Sequence, residues 1–383
     1  MPAYLHQIST ALPEFCYTQD FARDCMKSWT EVNRTQRIIQ SIYDRSGIDC
    51  RYSACGDFVP GREPQLFKPG PDGIPVSPGT GERNALYATA SRELAVRLAR
   101  KTLEAAPEFS PQDITHIIFT SCTGFANPGP DFHIIRELGL SQRVERYTLG
   151  FMGCYAAFPT LRMAAQFCEA NPKAVVLVMC LELCSLHLQM SDRPDNILAN
   201  SLFGDGAAAA IISARKPRPG RPAFRVCDFS SSLIPSAEQD MAWEIGNHGF
   251  QMVLSSYVPD IIGSNIRQLL SDTLGPAGMA LEDITEWAVH PGGRAILDRV
   301  EDSLGLGKQA LDASRTVLRD HGNMSSATVM FVLKELLDSA ETDQALTCAL
   351  AFGPGLTVET AVFERIGCTS ALKPAPVLQP LAA

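Results

Sequence analysis

The sequence predicts an α/β protein made of two similar halves. Strand-like and helical segments alternate along the chain, which is typical of a sheet covered by helices. The segment Asp-Ile-Thr at 113–115 recurs at 283–285, each time ahead of a strand-like run. The 383 residues also exceed the roughly 250–300 at which a single hydrophobic core stops growing. We therefore expect halves at 1–222 and 223–383, divided near the Pro-rich stretch 216–222.

The N-terminal part of the chain predicts two helices, a loop, a longer helix and a strand. After a short first strand, helical patterns cover about 18–29 and 33–45. Pro and Gly residues crowd 52–81, which indicates a long loop that does not contribute to the core. An Ala-, Leu- and Arg-rich stretch predicts a helix over 84–106, and β-branched residues then predict a strand at 114–120.

The alternation of helices and strands continues through the rest of the first half. We predict a helix over 131–137, a strand over 145–149, a helix over 155–170 and a strand over 174–181. The short segment between the strand at 145–149 and the following helix contains two glycines, so we expect a sharp bend there.

Two further features share the spacing that separates the two Asp-Ile-Thr segments. At that spacing Gly153 falls on Asn323, and the strand at 174–178 falls on 344–348. Three coincidences at one spacing indicate a duplication, with the halves packed about a pseudo-twofold axis. Such a duplication would bring Asn323 and the loop after a strand at 285–290 towards the bend that contains Gly153.

Composition and charge exclude several functions. The net charge of −9 argues against a general nucleic-acid or membrane-surface binder. No apolar segment reaches the roughly 18 residues that span a bilayer, and the N-terminus lacks a signal-peptide pattern. The twelve cysteines include no Cys-x-x-Cys pair, so we expect reduced thiols in a cytoplasmic protein and no metal site.

Cys154 is the first candidate for chemistry. It follows Gly150 and Gly153 in the predicted bend, where the glycines leave the thiol unshielded. A thiol at the start of a helix experiences the positive end of the helix dipole, which favours the nucleophilic thiolate. Taken alone, however, a cysteine at such a bend is more often a small buried core residue.

His290 and Asn323 are the candidate partners of Cys154. His290 ends a predicted strand, and Asn323 precedes a helix predicted over 325–337. Singly, they would be interpreted as a structural hydrogen-bond donor and as a helix cap. The duplication places both opposite Cys154, and a Cys–His pair is an activated nucleophile for acyl transfer. The His N–H and the Asn amide could together stabilise an oxyanion.

Five motifs, in order along the chain, resemble those of the type III polyketide synthases, the chalcone-synthase family. They are Gly-Phe-Met-Gly-Cys-Tyr-Ala-Ala at 150–157, Leu-Phe-Gly-Asp-Gly-Ala-Ala-Ala at 202–209, His-Pro-Gly-Gly-Arg-Ala-Ile-Leu-Asp at 290–298, Gly-Asn-Met-Ser-Ser-Ala at 322–327 and Gly-Pro-Gly-Leu-Thr-Val-Glu at 353–359. The resemblance covers nearly the whole chain. It implies a thiolase-like five-layer αβαβα fold with two duplicated halves.

The resemblance also implies a reaction. Cys154 would hold the starter and the growing chain as a thioester, and His290 would keep the thiol ionised. His290 and Asn323 would hold the malonyl thioester carbonyl while CO2 leaves. Acyl-CoA and malonyl-CoA would be the substrates, no metal or redox cofactor would be needed, and the enzyme would be a homodimer.

Other positions match substrate-binding positions of the family. The implied set is Phe203 and Met252 at the gate between the coenzyme A passage and the cavity, Cys122, Cys184 and His187 in the cavity, Ala126 beside a tunnel with Cys122 and Cys184, Arg45 at the coenzyme A phosphates, Ala295 at the pantetheine arm and Gly355 in the last motif.

The sequence departs from the plant enzymes at several of these positions. Ile38 and Ser41 replace two phosphate-binding basic residues, and Asn127 replaces a methionine that crosses the dimer interface. The sequence segments around Cys122 and Cys184 resemble those of the bacterial and fungal branch of the family. This resemblance implies a fatty acyl starter and an alkylpyrone or alkylresorcinol product.

Three alternatives to a type III polyketide synthase remain open at this point. The first is a single-round ketoacyl or quinolone-type condensing enzyme of the same fold. The second is a cysteine hydrolase, because Cys, His and Asn also serve peptidases. The third is a non-catalytic scaffold, against which the complete set of Cys154, His290 and Asn323 argues.

Overall fold

A computed structural model describes residues 1–71, 73–339 and 344–367. The predicted second half, 223–383, therefore includes segments outside the described residues, and Cys368 lies in one of them.

Each helix and strand predicted from the sequence is present, with boundaries that differ by a few residues, whereas the elements between residues 184 and 285 were not predicted. The strands are β1 Tyr4–Ala11, β2 Phe15–Thr18, β3 Cys50–Ser53, β4 His116–Ser121, β5 Glu145–Gly150, β6 Val175–Leu183, β7 Asp205–Ser213, β8 Ala223–Leu233, β9 Met241–Gly246, β10 Gly249–Leu254, β11 Glu286–Val289, β12 Leu346–Gly353 and β13 Thr357–Ile366. The helices are α1 Gln19–Ser28, α2 Asn33–Asp44, α3 Thr80–Ala105, α4 Pro130–Leu138, α5 Ala157–Ala170, α6 Pro194–Leu202, α7 Val258–Leu274, α8 Arg294–Leu304, α9 Asp312–His321 and α10 Thr328–Asp338.

The described residues form one nine-stranded mixed sheet in the order β11-β12-β13-β8-β1-β7-β6-β4-β5. Outward from its centre, the first half contributes β1, β7, β6 and β4, and the second contributes β8, β13, β12 and β11. In both series the first two pairings are antiparallel and the last is parallel. The halves join where Tyr4 pairs with Arg225 and Leu5 with Phe224. This symmetry confirms the predicted duplication.

Five layers form because the two faces of each half-sheet pack against different helices. On β6, Val176 and Val178 face a cluster that also contains apolar residues of α5 and α10. The alternate residues Val175 and Leu177 face a cluster with α3. The strand β12 alternates in the same way between that central cluster and an outer one with α7 and α8. Both half-sheets therefore lie between helices, which gives the predicted thiolase-like αβαβα arrangement.

The two halves differ at one strand. At the spacing of the duplication, the counterpart of β5 would lie at 315–320, and that segment belongs to helix α9. The high density of charged residues there, Arg-Thr-Val-Leu-Arg-Asp, disfavours a strand packed between two layers. The second half-sheet is accordingly one strand narrower within the described residues.

The predicted loop at 52–81 was expected to lie outside the core, and that expectation is wrong. β3 occupies its start, and Leu66 and Phe67 are buried. The buried Asp57 carboxylate accepts hydrogen bonds from the backbone N–H groups of Leu66, at 2.6 Å, and Phe67, at 2.7 Å. Those bonds satisfy backbone donors in a segment without regular structure, so its apolar side chains can be buried. The Pro-rich stretch 216–222 connects β7 to β8.

Candidate active site

Cys154 lies in a tight turn, residues 151–156, between β5 and α5. The backbone takes φ of 61° at Phe151 and 86° at Gly153, the region that favours glycine. Gly150, the other glycine expected to form the bend, does not take a positive φ. A Cβ atom on Gly153 would lie 2.5 Å from Pro354 Cδ of the second half. Glycine at 153 therefore permits both the turn and the close approach of the second half.

Asn323 reaches Cys154 from the second half. Its Oδ1 atom lies 4.0 Å from Cys154 Sγ. Its backbone is fixed to the end of α6, because Asn323 N donates to Leu202 O and Gly204 N donates to Asn323 O, both at 2.9 Å. The side-chain oxygen also accepts from Ser325 N at 2.8 Å, which is a local turn contact. The expected helix cap is not observed, because the residue that precedes α10 is Ala327 and the backbone donor that Asn323 binds is Ser325 N.

His290 follows β11, two residues before Gly292, which bonds to the Asn323 side chain next to Cys154. The Asn323 amide donates to Gly292 O at 3.2 Å, and a Cβ on Gly292 would lie 3.7 Å from the His290 ring. His290 is 1% exposed, and neither ring nitrogen has a hydrogen-bond partner among the described residues. A buried polar group without a partner is unusual.

The electrostatics of the site differ from the expected resting thiolate. Burial raises the pKa of the Cys154 thiol to about 11, although a hydrogen bond with Ser325 opposes the shift. Burial lowers the pKa of His290 to about 3. The helix-dipole argument fails because α5 begins only at Ala157, so desolvation outweighs the dipole. Burial thus favours the neutral form of both groups, and a thiol in that form needs a proton acceptor to become a nucleophile.

Glu182, on β6, is a buried residue beside this site that the sequence interpretation missed. Its carboxyl accepts from Cys122 N at 2.9 Å, from Thr123 Oγ1 at 2.9 Å and from the Ser326 hydroxyl. Burial raises its pKa to about 7, against the effect of these hydrogen bonds. Glu182 thus connects the loop after β4 to the segment that carries Asn323. One acidic residue in an otherwise apolar strand was the available signal.

A small cavity adjoins Cys154. Of the predicted substrate-binding residues, Cys122, Cys184, Phe203 and Met252 line it. The sequence interpretation missed the others. They are Thr123, Met241, Trp243, Ser325 and Pro354. Trp243 is fixed across the cavity because its Nε1 donates to Cys122 O at 3.0 Å. No sequence pattern distinguishes this tryptophan from one in the core.

His187 borders a larger, neighbouring cavity. Its Nε2 lies 2.7 Å from Thr123 O, and its Nδ1 accepts from Phe250 N at 3.0 Å. These contacts assign the proton to Nε2, and burial lowers the pKa of His187 to about 4. The ring also stacks on Phe250 with centroids 4.1 Å apart. His187 is therefore a neutral wall residue that fixes the β9–β10 hairpin.

The remaining predicted residues lie farther out. Arg45, after α2, and Ala295, in α8, are exposed, and the two elements are adjacent because Arg294 Cδ lies 3.5 Å from a Cβ built on Gly47. Gly355 follows Pro354 and takes φ of 111°. Ala126 lines surface depressions with residues of α3 and does not line the cavity at Cys154.

Comparison with known proteins accounts for this arrangement. The family model described as chalcone and stilbene synthases, N-terminal domain, matches residues 1–216, and the corresponding C-terminal domain model matches 226–367. The chain belongs to the chalcone and stilbene synthase family. Its members are type III polyketide synthases, acyltransferases that condense malonyl-CoA with an acyl-CoA starter and need no further cofactor.

Individual relatives of this type III polyketide synthase cover almost all of its length. The "alpha-pyrone synthesis polyketide synthase-like" protein Pks18 of Mycobacterium tuberculosis is 34% identical over 376 residues, covering 95% of this chain and 91% of that protein. The crystal structure of PKS-I from the brown alga Ectocarpus siliculosus is 29% identical, with a TM-score of 0.87 and coverage of 95% and 98%. The 1,3,6,8-tetrahydroxynaphthalene synthase of Streptomyces coelicolor is 27% identical, with a TM-score of 0.82 and coverage of 96% and 100%.

The described residues contain neither a metal-binding cluster nor a helix that could cross a membrane. In residues 1–71, 73–339 and 344–367, no group of three or more His, Cys, Asp or Glu side chains could hold a metal ion. Within the same ranges, no helix has the length and apolar character required to cross a bilayer.

We predict that Gly153→Ala destabilises this synthase. A Cβ at 153 meets Pro354, and φ of 86° is unfavourable for alanine, so the free energy of unfolding should fall by more than about 1 kcal/mol. Urea unfolding would measure the loss. Gly81→Ala is the control, because its Cβ meets nothing within 4 Å in helix α3. Equal stability of Gly153→Ala and wild type would contradict the packing described.

We predict that Glu182 makes stability depend on pH. A carboxyl whose pKa is raised from 4.5 to about 7 stabilises the native state fully below pH 4.5, and that contribution is lost as the pH rises through about 7. The loss should be of order 1.4 kcal/mol per pKa unit. Because the raised pKa of Asp205 contributes a decline of its own, Glu182→Gln should reduce this decline in urea unfolding between about pH 5 and about pH 8, whereas the exposed Glu63→Gln should retain it in full. An unchanged decline in Glu182→Gln would refute the assignment.

Proposed function

We propose that this type III polyketide synthase loads a fatty acyl starter onto Cys154, extends it with malonyl-derived units and releases an alkylpyrone, alkylresorcinol or related product. The observation that carries the proposal is the position of the Cys154 thiol in an enclosed cavity, 4.0 Å from Asn323 Oδ1. The α-pyrone activity in the name of the relative that is 34% identical supports an α-pyrone among these products.

In the loading step, Cys154 Sγ attacks the starter thioester and the coenzyme A sulfur leaves. His290 accepts the thiol proton and passes it to the leaving sulfur. The ring nitrogens of His290 support this role. Neither has a hydrogen-bond partner among the described residues, so the neutral imidazole can accept one proton without breaking an existing hydrogen bond. The proton transfer turns two neutral groups into an ion pair, and their mutual attraction offsets part of the cost of burying each charge.

In the extension step, His290 and the Asn323 amide donate to the carbonyl oxygen of malonyl-CoA. Loss of CO2 leaves an enolate, whose carbon bonds to the acyl carbonyl carbon while the bond from that carbon to Sγ breaks, which releases Cys154 as the thiolate. Each donor to the developing oxyanion contributes about 3 kcal/mol to transition-state stabilisation. One amide N–H of Asn323 bonds to Gly292 O, which leaves the second N–H for the malonyl carbonyl oxygen.

Coenzyme A would pass between the end of α2 and the start of α8. Arg45 would meet its phosphates and Ala295 its pantetheine arm, with Phe203 and Met252 at the inner end. The adjacency of Gly47 and Arg294 supports a shared opening. Cys122 and Cys184 would form cavity walls, and Gly355 would shape the segment after Pro354.

The proposal also includes a cytoplasmic homodimer with halves divided near 222. Exposed Phe125 and Phe132, on either side of Asn127 in the sequence, support association through this segment, because contiguous exposed apolar side chains often mark an interface.

We predict that Cys154→Ala abolishes condensation. Loss of the nucleophile should reduce turnover of malonyl-CoA and acyl-CoA at least roughly 1000-fold, measured by CO2 release and product mass spectrometry. Cys168→Ala, a change in the central core away from the cavity, should retain activity. Full condensation by Cys154→Ala would refute the function.

The wild-type products distinguish the alternatives. A product with one malonyl-derived unit would favour a single-round condensing enzyme. Thioester cleavage without malonyl-CoA consumption would indicate a hydrolase.

A further inference from the structure

The end of helix α6 lies next to the candidate catalytic residues. Phe203 follows the last residue of α6 and forms a parallel β-bridge with Asn323. Asn323 N donates to Leu202 O, and Gly204 N donates to Asn323 O, both at 2.9 Å. The position of Asn323 beside Cys154 Sγ therefore depends on where the end of α6 is held.

Side chains from outside the helix bind the last carbonyl groups of α6. The final carbonyl oxygens of a helix lack donors within the helix and form the negative end of its dipole. Ser201 O accepts from Gln19 Nε2 at 2.8 Å. Asn200 O and Phe203 O both accept from Arg51 Nη1, at 2.7 and 2.6 Å. Arg51 thus places a positive charge at this negative end, which stabilises it.

The stem of the Arg51 side chain packs against the two glycines that flank the β-bridge. A Cβ atom on Gly204 would lie 3.2 Å from Arg51 Cβ, and a Cβ on Gly322 would lie 2.7 Å from Arg51 Cγ. Gly204 follows Phe203, and Gly322 precedes Asn323. Arg51 therefore contacts both segments of the bridge, in addition to binding the carbonyl oxygens with its guanidinium group.

Arg51 is itself fixed by the N-terminal segments of the chain. Its strand β3 pairs with β2, where Arg51 lies opposite Tyr17. Its Nε donates to Gln19 Oε1 at 3.0 Å, and its guanidinium carbon lies 6.0 Å from the centroid of the Tyr43 ring, at the limit of a cation–π contact. The planar guanidinium group can bind several oxygens at once, whereas a lysine has one ammonium nitrogen. Arg51 therefore connects β3 and α1 to the turn that carries Asn323.

We propose that Arg51 is a positioning residue for the extension step, because it holds the end of α6 against the turn that carries Asn323 and so directs the Asn323 amide at the malonyl carbonyl oxygen. The inference rests on the proposed function. In the proposed loading step, Cys154 and His290 act without the Asn323 amide, so loss of Arg51 should affect extension and leave loading intact. A displacement of about 1 Å at reacting groups can cost roughly 100-fold in rate.

The first test compares the two steps in Arg51 variants. Arg51→Ala should lower kcat for malonyl-CoA decarboxylation roughly 100-fold and change its KM less than about threefold. Acylation of Cys154 by palmitoyl-CoA or hexanoyl-CoA, whichever the wild type loads faster, should change less than about twofold by mass spectrometry of the protein. Arg51→Lys keeps the charge and should show a smaller loss of decarboxylation. Arg215→Ala is the control, because Arg215 binds Asp113 beyond the far end of β7, and both rates should persist.

The second test, a double-mutant cycle, asks whether Arg51 acts through Asn323. Asn323→Ala removes the donor itself, so the addition of Arg51→Ala should lower the residual decarboxylation rate less than about twofold further. The cycle with Arg51→Lys replaces it if Arg51→Ala does not fold. Single losses that multiply in the double variant, or equal losses of loading and decarboxylation in the Arg51 variants, would overturn the inference and leave a working wild-type synthase. A wild type that acylates Cys154 but never consumes malonyl-CoA would instead refute the proposed function.

Discussion

Pro354 of the second half packs against Gly153 of the first, and the geometry of the active site depends on that approach. The same region places Asn323 Oδ1 4.0 Å from Cys154 Sγ. The halves can come this close because β1 pairs directly with β8, which fixes the relation between the two half-sheets. Cys154 comes from one half and His290 and Asn323 from the other, so neither half contains the site alone.

Two buried carboxyls organise the walls around this contact. Glu182 connects the loop after β4 to Ser326, next to the Cys154 cavity. Asp205 accepts from Ala54 N and Ser185 N, both at 2.7 Å, next to the larger cavity that His187 borders. Burial raises the pKa of Asp205 to about 6, as it raises that of Glu182 to about 7. Burying a carboxyl is costly unless it is hydrogen-bonded, so each requires its loops to remain in place.

Local arguments from the sequence predicted the elements well and the electrostatics poorly. Periodicity predicted helices and strands with boundaries a few residues from those observed. The helix-dipole argument for a Cys154 thiolate failed because it considered only neighbours along the chain. Burial, which depends on residues from both halves, raises the pKa of the thiol to about 11. The loop at 52–81 was misjudged because its Pro and Gly content does not reveal that Asp57 supplies the hydrogen bonds that allow Phe67 to be buried.

The sequence by itself determined the alternation of strands and helices, the duplication of the two halves and the identity of Cys154, His290 and Asn323 as the candidate set. These are properties of order and spacing along the chain. Only the tertiary structure revealed that Glu182 links the two halves, that Trp243 forms a cavity wall and that a larger cavity lies between α1 and α6. Cavities form where side chains distant in sequence fail to fill the space between packed elements, and no local pattern encodes that shape.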